Sequence, residues 1–118
     1  MLTVLRYIEA NPLRATIVRD AADYPWSSYR AHGLGEANAL LDPLVTYQEL
    51  AANAAVRQRQ WAAKVHRPLA EDAIASIRRS NESGLPYGGP GWVARLSKRL
   101  KLDLTIRPRG RPRKTAAT

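Results

Sequence analysis

The sequence predicts a mainly α-helical fold, and three observations support this prediction. Apolar residues recur at intervals of three and four along several segments, which is the spacing of one face of a helix. No segment alternates apolar and polar residues as a half-buried strand does. Proline and glycine separate the periodic segments. The chain of 118 residues is long enough for one domain with a modest core or for two small helical pieces.

The first helix is predicted from Leu2 to Ala10. Turning each residue by about 100° brings its apolar side chains onto one arc formed by Leu2, Val4, Leu5 and Ile8. Tyr7 lies outside this arc. We expect the helix to end at Asn11, because a residue that precedes proline disfavours the helical conformation. Pro12 would then begin a second short helix that runs through Val18.

Three further helices are predicted, over residues 47–66, 69–81 and 92–100. Residues 23–29 are typical of a packing turn that leads into a short helical stretch, and residues 84–91 form a turn rich in glycine and proline. In the last helix we expect an inward apolar stripe with three cations on the other side: the stripe is Trp92, Val93, Leu96 and Leu100, and the cations are Arg95, Lys98 and Arg99. From Asp103 onward we expect loss of order.

The composition excludes several classes of protein. The chain has no cysteine, so neither disulfides nor a thiolate zinc site can hold it together. No apolar run approaches the roughly 20 residues of a membrane-spanning helix. The N-terminus also lacks the charged-then-apolar pattern of a secretion signal. We therefore expect a cytoplasmic protein with no membrane partner.

Positive charge is concentrated in the second half of the chain. Residues 1–66 hold seven Lys/Arg against six Asp/Glu, whereas residues 67–118 hold twelve against four, and the net charge is +9. A positive field at one end indicates a polyanionic partner, with nucleic acid first and a membrane surface second. The alternative is a basic tail that only keeps the chain in solution.

The candidate DNA contacts are the basic residues of this half. Arg109, Gly110 and Arg111 resemble the centre of an AT-hook, in which glycine lets the backbone lie close to A·T-rich DNA while the arginines enter the narrow minor groove. A general affinity of the tail for phosphates is equally compatible with the sequence. The full set of candidates is Arg78, Arg79, Arg95, Lys98, Arg99, Arg107, Arg109, Gly110, Arg111, Arg113 and Lys114.

Three segments carry a family signal: residues 7–15 (YIEANPLRA), 26–29 (WSSY) and 109–114 (RGRPRK). Together they resemble the C-terminal part of the REP-associated tyrosine transposases of the HUH single-strand endonuclease superfamily. The resemblance runs from about Leu2 to Lys114. It implies the helical part of a parent α+β ferredoxin-like fold. It also implies metal-assisted cleavage and rejoining of single-stranded DNA near hairpins, through a 5′-phosphotyrosine, in the bacterial nucleoid.

In this resemblance Tyr7 matches the nucleophile and Asn11 the helix-borne third ligand of Mg²⁺ or Mn²⁺. A phenol with a pKa of about 10 needs a phosphate polarised by a metal, and an amide oxygen is an acceptable ligand for such an ion. The family's His-hydrophobic-His motif is absent, because the two histidines are His32 and His66. We expect a truncated reading frame or a split gene. Its product alone would bind no metal and would cleave poorly, unless an upstream chain that carries the motif completes the site.

The resemblance also suggests four parts. Residues 1–32 would be the remnant of the catalytic domain, 33–46 a linker, 47–102 a helical DNA-binding extension and 103–118 a disordered basic tail.

Simpler interpretations stay open for the same residues. Tyr7 could be a half-buried tyrosine whose hydroxyl bonds a backbone carbonyl, and Asn11 a helix cap before proline. His32 and His66 are expected to face solvent. Ser27 and Ser28 have no histidine base arranged for nucleophilic chemistry and are assigned none.

Two other functions also remain open for the chain as a whole. It could be a non-catalytic DNA-binding accessory protein in which residues 67–114 are the functional part. It could also be a vestigial remnant in which Leu2, Leu5 and Ile8 expose an apolar face.

Overall fold

The structure, a computed structural model, describes residues 1–103. It confirms the mainly α-helical prediction, because this part of the chain holds helices and no strand. The 3₁₀ turn Ala21–Asp23 accompanies six α-helices, which are α1 (Leu2–Arg14), α2 (Tyr29–Leu34), α3 (Val45–Gln48), α4 (Ala54–His66), α5 (Glu71–Ser83) and α6 (Pro90–Leu100). None of the helices within 1–103 is both long and apolar enough to cross a membrane. The tail predicted to lack order lies outside these residues from position 104 onward.

The helix α1 continues through Pro12, so the predicted break at Asn11 is wrong. Proline removes one N–H from the helix ladder and its ring crowds the carbonyl one turn earlier, so the continuation of α1 has a cost that other contacts must offset. Pro12 is buried and Leu13 packs against the core, so burial favours continuing the helix. The helix ends at Arg14, and the chain turns away at Thr16, whose φ of 57° is left-handed. The N–H groups of Thr16 and Ile17 donate to Leu13 and Pro12 carbonyls at 3.0 Å, which closes the last turn.

The chain forms two compact units that divide after Glu71. In the first unit, α4 packs against α1 and α2. Its core centres on Trp61 and Val65 and is completed by Ala10, Ala21, Tyr29 and Tyr47. Leu2 and Leu5 of α1 pack against this core, whereas Ile8 is 53% exposed. The buried face of α1 is therefore rotated away from the predicted arc, and the expected apolar surface of Leu2 and Leu5 is covered by helices of the same unit.

The turn before α2 has one aromatic residue inside and one outside. Tyr29 is buried, as a packing turn requires, but Trp26 is 83% exposed.

An arginine of α1 contacts the end of α4. Nη2 of Arg6 donates to the carbonyls of Arg67 and Pro68 at 2.6 and 3.2 Å, where α4 ends. These two bonds hold α1 against the C-terminal end of α4, where a cation also complements the helix dipole.

The second unit contains α5 and α6. Ile74 and Ile77 of α5 are buried. In α6 the buried residue is Ser97, while Trp92 and Leu100 are 47% and 56% exposed. The predicted stripe is therefore wrong for Trp92 and Leu100, and the more buried side chains of α6 are Ser97, Val93 and Leu96.

Candidate functional site

The predicted nucleophile and metal ligand lie one turn apart on α1, joined by a third residue that the sequence did not single out. The guanidinium carbon of Arg14 sits 4.3 Å from the centre of the Tyr7 ring. The same guanidinium donates to Asn11 Oδ1 at 3.1 Å and to the Tyr7 carbonyl at 3.4 Å. A planar cation stacked on a phenol is favourable, so Arg14 fixes both side chains on one side of the helix.

Tyr7 is half-buried and is not part of the closed core. Within residues 1–103 its hydroxyl has no hydrogen-bond partner, so a bond to a backbone carbonyl, the simpler interpretation, is not found. The Arg14 guanidinium covers one face of the phenol ring.

Asn11 does not fit a divalent metal ion in this arrangement. Its amide oxygen already accepts from Arg14, and an ion at that oxygen would face the positive guanidinium. No group of three His, Asp or Glu side chains that could hold a metal occurs in the part of the chain that the structure describes. On the side of α1 that Tyr7 and Asn11 share, the Asn11 amide oxygen is therefore already engaged, and a hard cation needs several oxygen ligands.

A buried carboxylate, Glu9, lies two residues after Tyr7 and was missed in the sequence. It is fully buried at 0% exposure. Its Oε1 accepts from the Ser28 hydroxyl and contacts His32 Nδ1, both at 2.5 Å, and its Oε2 accepts from the Trp61 indole N–H at 2.6 Å. Three partners from around two other helices therefore satisfy one carboxylate, as burial of a charged group requires.

The environment of His32 corrects the prediction that it faces solvent. Its side chain is 13% exposed, and its ring lies 4.6 Å from that of Tyr47. The Tyr47 hydroxyl donates to the His32 carbonyl at 2.6 Å, which extends the network to α3. His32 leaves the surface because its Nδ1 supplies a partner for the buried carboxylate. We call Glu9, Ser28, His32 and Trp61 the Glu9 network.

The Glu9 network does not form a nucleophilic triad. In such a triad the imidazole lies between the hydroxyl and the carboxylate and takes the hydroxyl proton. Here the carboxylate lies between Ser28 and His32, and no base other than Glu9 contacts the hydroxyl within the described chain. The network therefore serves to anchor α1, and with it Tyr7, against α2 and α4. A single carboxylate within the apolar side of α1 was the only signal for it in the sequence.

The second histidine, His66, is partly exposed but engaged. Its Nε2 accepts from the Ala21 N–H at 3.2 Å and lies 3.2 Å from Asp20 Oδ1, while Nδ1 is 2.9 Å from the Ala62 carbonyl. Its ring meets that of Tyr29 edge to face at 5.5 Å. Burial raises the pKa of the Tyr29 phenol above its usual value, and the negative charges of Asp20 and Glu9 add to this effect.

The candidate DNA contacts divide between described and undescribed parts of the chain. Five of them lie in the second unit and are exposed: Arg78, Arg79, Arg95, Lys98 and Arg99. The other six lie outside the described residues: Arg107, Arg109, Gly110, Arg111, Arg113 and Lys114. The five described cations project from α5 and α6, as the sequence predicts for a basic surface.

No match to the chain was found among protein-family models, among curated proteins or among solved structures.

Proposed function

We propose that this chain binds DNA, single-stranded or in hairpins, and corresponds to the C-terminal part of a REP-associated tyrosine transposase. The observation that carries the proposal is the exposure of all five described basic candidates on α5 and α6. Exposed Arg and Lys neutralise phosphates and release counterions, which supplies most of the affinity of non-specific DNA binding. The three family-like segments support the narrower assignment to a transposase, with the ferredoxin-like domain as its parent fold.

In this proposal Tyr7 is the nucleophile of the strand-transfer reaction. The Arg14 guanidinium beside the phenol ring supports the assignment, because a cation at this place can hold a phosphodiester near the phenol. The described residues do not fit Mg²⁺ or Mn²⁺, and the sequence lacks a His-x-His motif. The chain alone is therefore expected to bind DNA without cleaving it, and a partner chain with that motif would supply the metal site.

The test of catalysis is a covalent protein–DNA adduct. Labelled hairpin DNA is incubated with the chain and Mn²⁺, with Tyr7→Phe as the test variant and Tyr24→Phe, another half-buried tyrosine of the first unit, as the control. We expect binding and no adduct. An adduct that Tyr7→Phe abolishes and Tyr24→Phe preserves would contradict the inactivity of the chain alone. When the chain is co-expressed with an upstream chain that carries His-x-His, we expect an adduct that Tyr7→Phe abolishes.

The second candidate function is that of a non-catalytic DNA-binding accessory protein. It is favoured by the hydrogen bond that already occupies Asn11 Oδ1, because a metal ligand should be free. If the partner chain produces no adduct, this alternative replaces the catalytic assignment.

DNA binding itself is tested by removing residues 103–118, which carry six candidate contacts. Affinity should fall, and the dependence of affinity on salt should become shallower, because fewer phosphates are neutralised. An unchanged salt dependence would contradict the assignment of these six residues.

A further inference from the structure

One face of α6 combines an aromatic ring with two cations. Trp92, Arg95, Leu96 and Arg99 stand at spacings of three and four residues, so their side chains share a face of the helix. They line an open cavity of about 340 Å³. Leu96 is half-buried at its floor, whereas both arginines are exposed. We call these four residues the α6 platform.

The indole of the α6 platform lies against a glycine. A Cβ atom on Gly88 would stand 2.5 Å from Trp92 Cε3 and 2.9 Å from Cζ3, so the backbone of Gly88 lies directly against the ring. Trp92 nevertheless keeps 47% of its surface exposed. A large ring that is fixed on one side and accessible elsewhere loses little conformational freedom when a ligand stacks on it.

We propose that the α6 platform binds one unpaired nucleotide of a DNA strand. This inference rests on the DNA binding proposed above and names a binding element within it. The indole of Trp92 stacks on the base, and the guanidinium groups of Arg95 and Arg99 contact the phosphates on either side. The two arginines are one turn apart, roughly 6 Å along the helix axis, so they can follow the strand past the ring.

Accessibility of the base determines which form of DNA is preferred. In a duplex both faces of a base are covered by its neighbours, and an indole cannot stack without unpairing. In a single strand or a hairpin loop the base can turn out onto the ring. The arginines contact phosphates in both forms. The α6 platform therefore adds a preference for unpaired DNA to the general affinity of the basic surface.

The experiment measures fluorescence anisotropy of three labelled DNAs of equal length with the full chain: oligothymidylate, an all-abasic strand and a duplex. Trp92→Ala should weaken binding of oligothymidylate by about 5- to 150-fold, the usual range for one stacked base, and leave the other two unchanged. The matched control is Trp26→Ala, which removes an indole that is 83% exposed in the first unit and should change nothing. Trp92→Phe should retain most of the affinity for oligothymidylate.

The arginines are tested by the salt dependence of oligothymidylate binding. Replacing both Arg95 and Arg99 with alanine should lower the slope of log affinity against log salt by about 1.4, which is 0.7 for each single-strand phosphate released. Replacing Arg59, an exposed arginine of α4, should leave the slope unchanged. In a Trp26→Phe chain, oligothymidylate should also quench the emission of Trp92, since Trp61 is buried.

The outcomes separate this inference from the proposed function. If the unaltered chain binds none of the DNAs, DNA binding is refuted and the α6 platform with it. If the chain binds DNA but the Trp92→Ala variant binds oligothymidylate with unchanged affinity, stacking is refuted while DNA binding stands. The same holds if Trp92→Ala lowers the affinity for all three DNAs equally. Absence of quenching in the Trp26→Phe chain refutes stacking as well, whether or not the alanine variant folds.

Discussion

Replacing Glu9 with leucine should destabilise the first unit by about 2–5 kcal/mol, because three partners lose their common acceptor. A buried donor without an acceptor costs about 1–3 kcal/mol. The Trp61 N–H cannot turn away from the site and carries this full cost, whereas Ser28 and His32 can partly reorient. Leucine is close to glutamate in size, so we expect only a small cavity contribution.

This loss is large relative to the stability available. At 0.05–0.15 kcal/mol per residue, a unit of this length has about 4–10 kcal/mol in total, so Glu9→Leu should remove about half of it. Replacing a buried ion pair with apolar residues is often neutral, but only when every polar partner is removed together. In Glu9→Leu the polar groups of Ser28, His32 and Trp61 remain without their acceptor, and this lowers the free energy of unfolding. Glu9→Gln should cost less, about 1–3 kcal/mol, because the amide retains one acceptor for the indole.

The assay is urea unfolding followed by Trp61 fluorescence in a Trp26→Phe/Trp92→Phe chain, so that the first unit alone is observed. Glu49→Leu, which alters an exposed carboxylate, is the matched control. Combining Glu9→Leu with Ser28→Ala should cost about 1 kcal/mol less than the sum of the single changes, because the stranded hydroxyl is gone. A Glu9→Leu chain within about 0.5 kcal/mol of the control would refute the reasoning.

Three further changes test the packing and backbone of the first unit. Because burial raises the pKa of Tyr29, the folded state keeps its phenolic proton at a pH at which the unfolded chain has released it. The resulting stabilisation of the folded state is complete below the usual pKa of tyrosine and falls as the pH rises above it. Thermal unfolding across pH 9–11 should therefore show a smaller loss in Tyr29→Phe, and an equal loss would contradict the shift. Thr16→Gly should raise stability by about 0.5–1 kcal/mol because φ is 57°, whereas Ala15→Gly, at φ −79°, should lower it by a similar amount in the same melting experiment. Gly33→Ala should cost about 1–3 kcal/mol in urea unfolding, since its Cβ would stand 2.7 Å from the buried Tyr29 ring, and an unchanged midpoint would contradict this contact.

The candidate site was only partly foreseeable. Tyr7 and Asn11 share a side of α1, as their spacing predicts, because the geometry of a helix is local. Arg14 joined them only because the helix continues past Pro12, and that continuation depends on burial of Pro12 and Leu13. The propensity of the residue before proline favoured the opposite outcome. His32 was assigned to solvent because the partner that draws it inward is 23 residues away in the chain.

The sequence by itself determined the helical class, the approximate positions of the last two helices and the concentration of positive charge in the second half. These properties follow from residue spacing, helix breakers and composition, which involve near neighbours or simple counting. The predicted single helix over 47–66 is divided into α3 and α4, and the short helix predicted from Pro12 to Val18 is not formed. Only the tertiary structure decided which face of each helix is covered. Glu9 is buried because α2 and α4 bring it three partners, whereas Trp92 of α6 is left 47% exposed. Burial is a property of what packs opposite a side chain, and the helix that carries the side chain does not specify it.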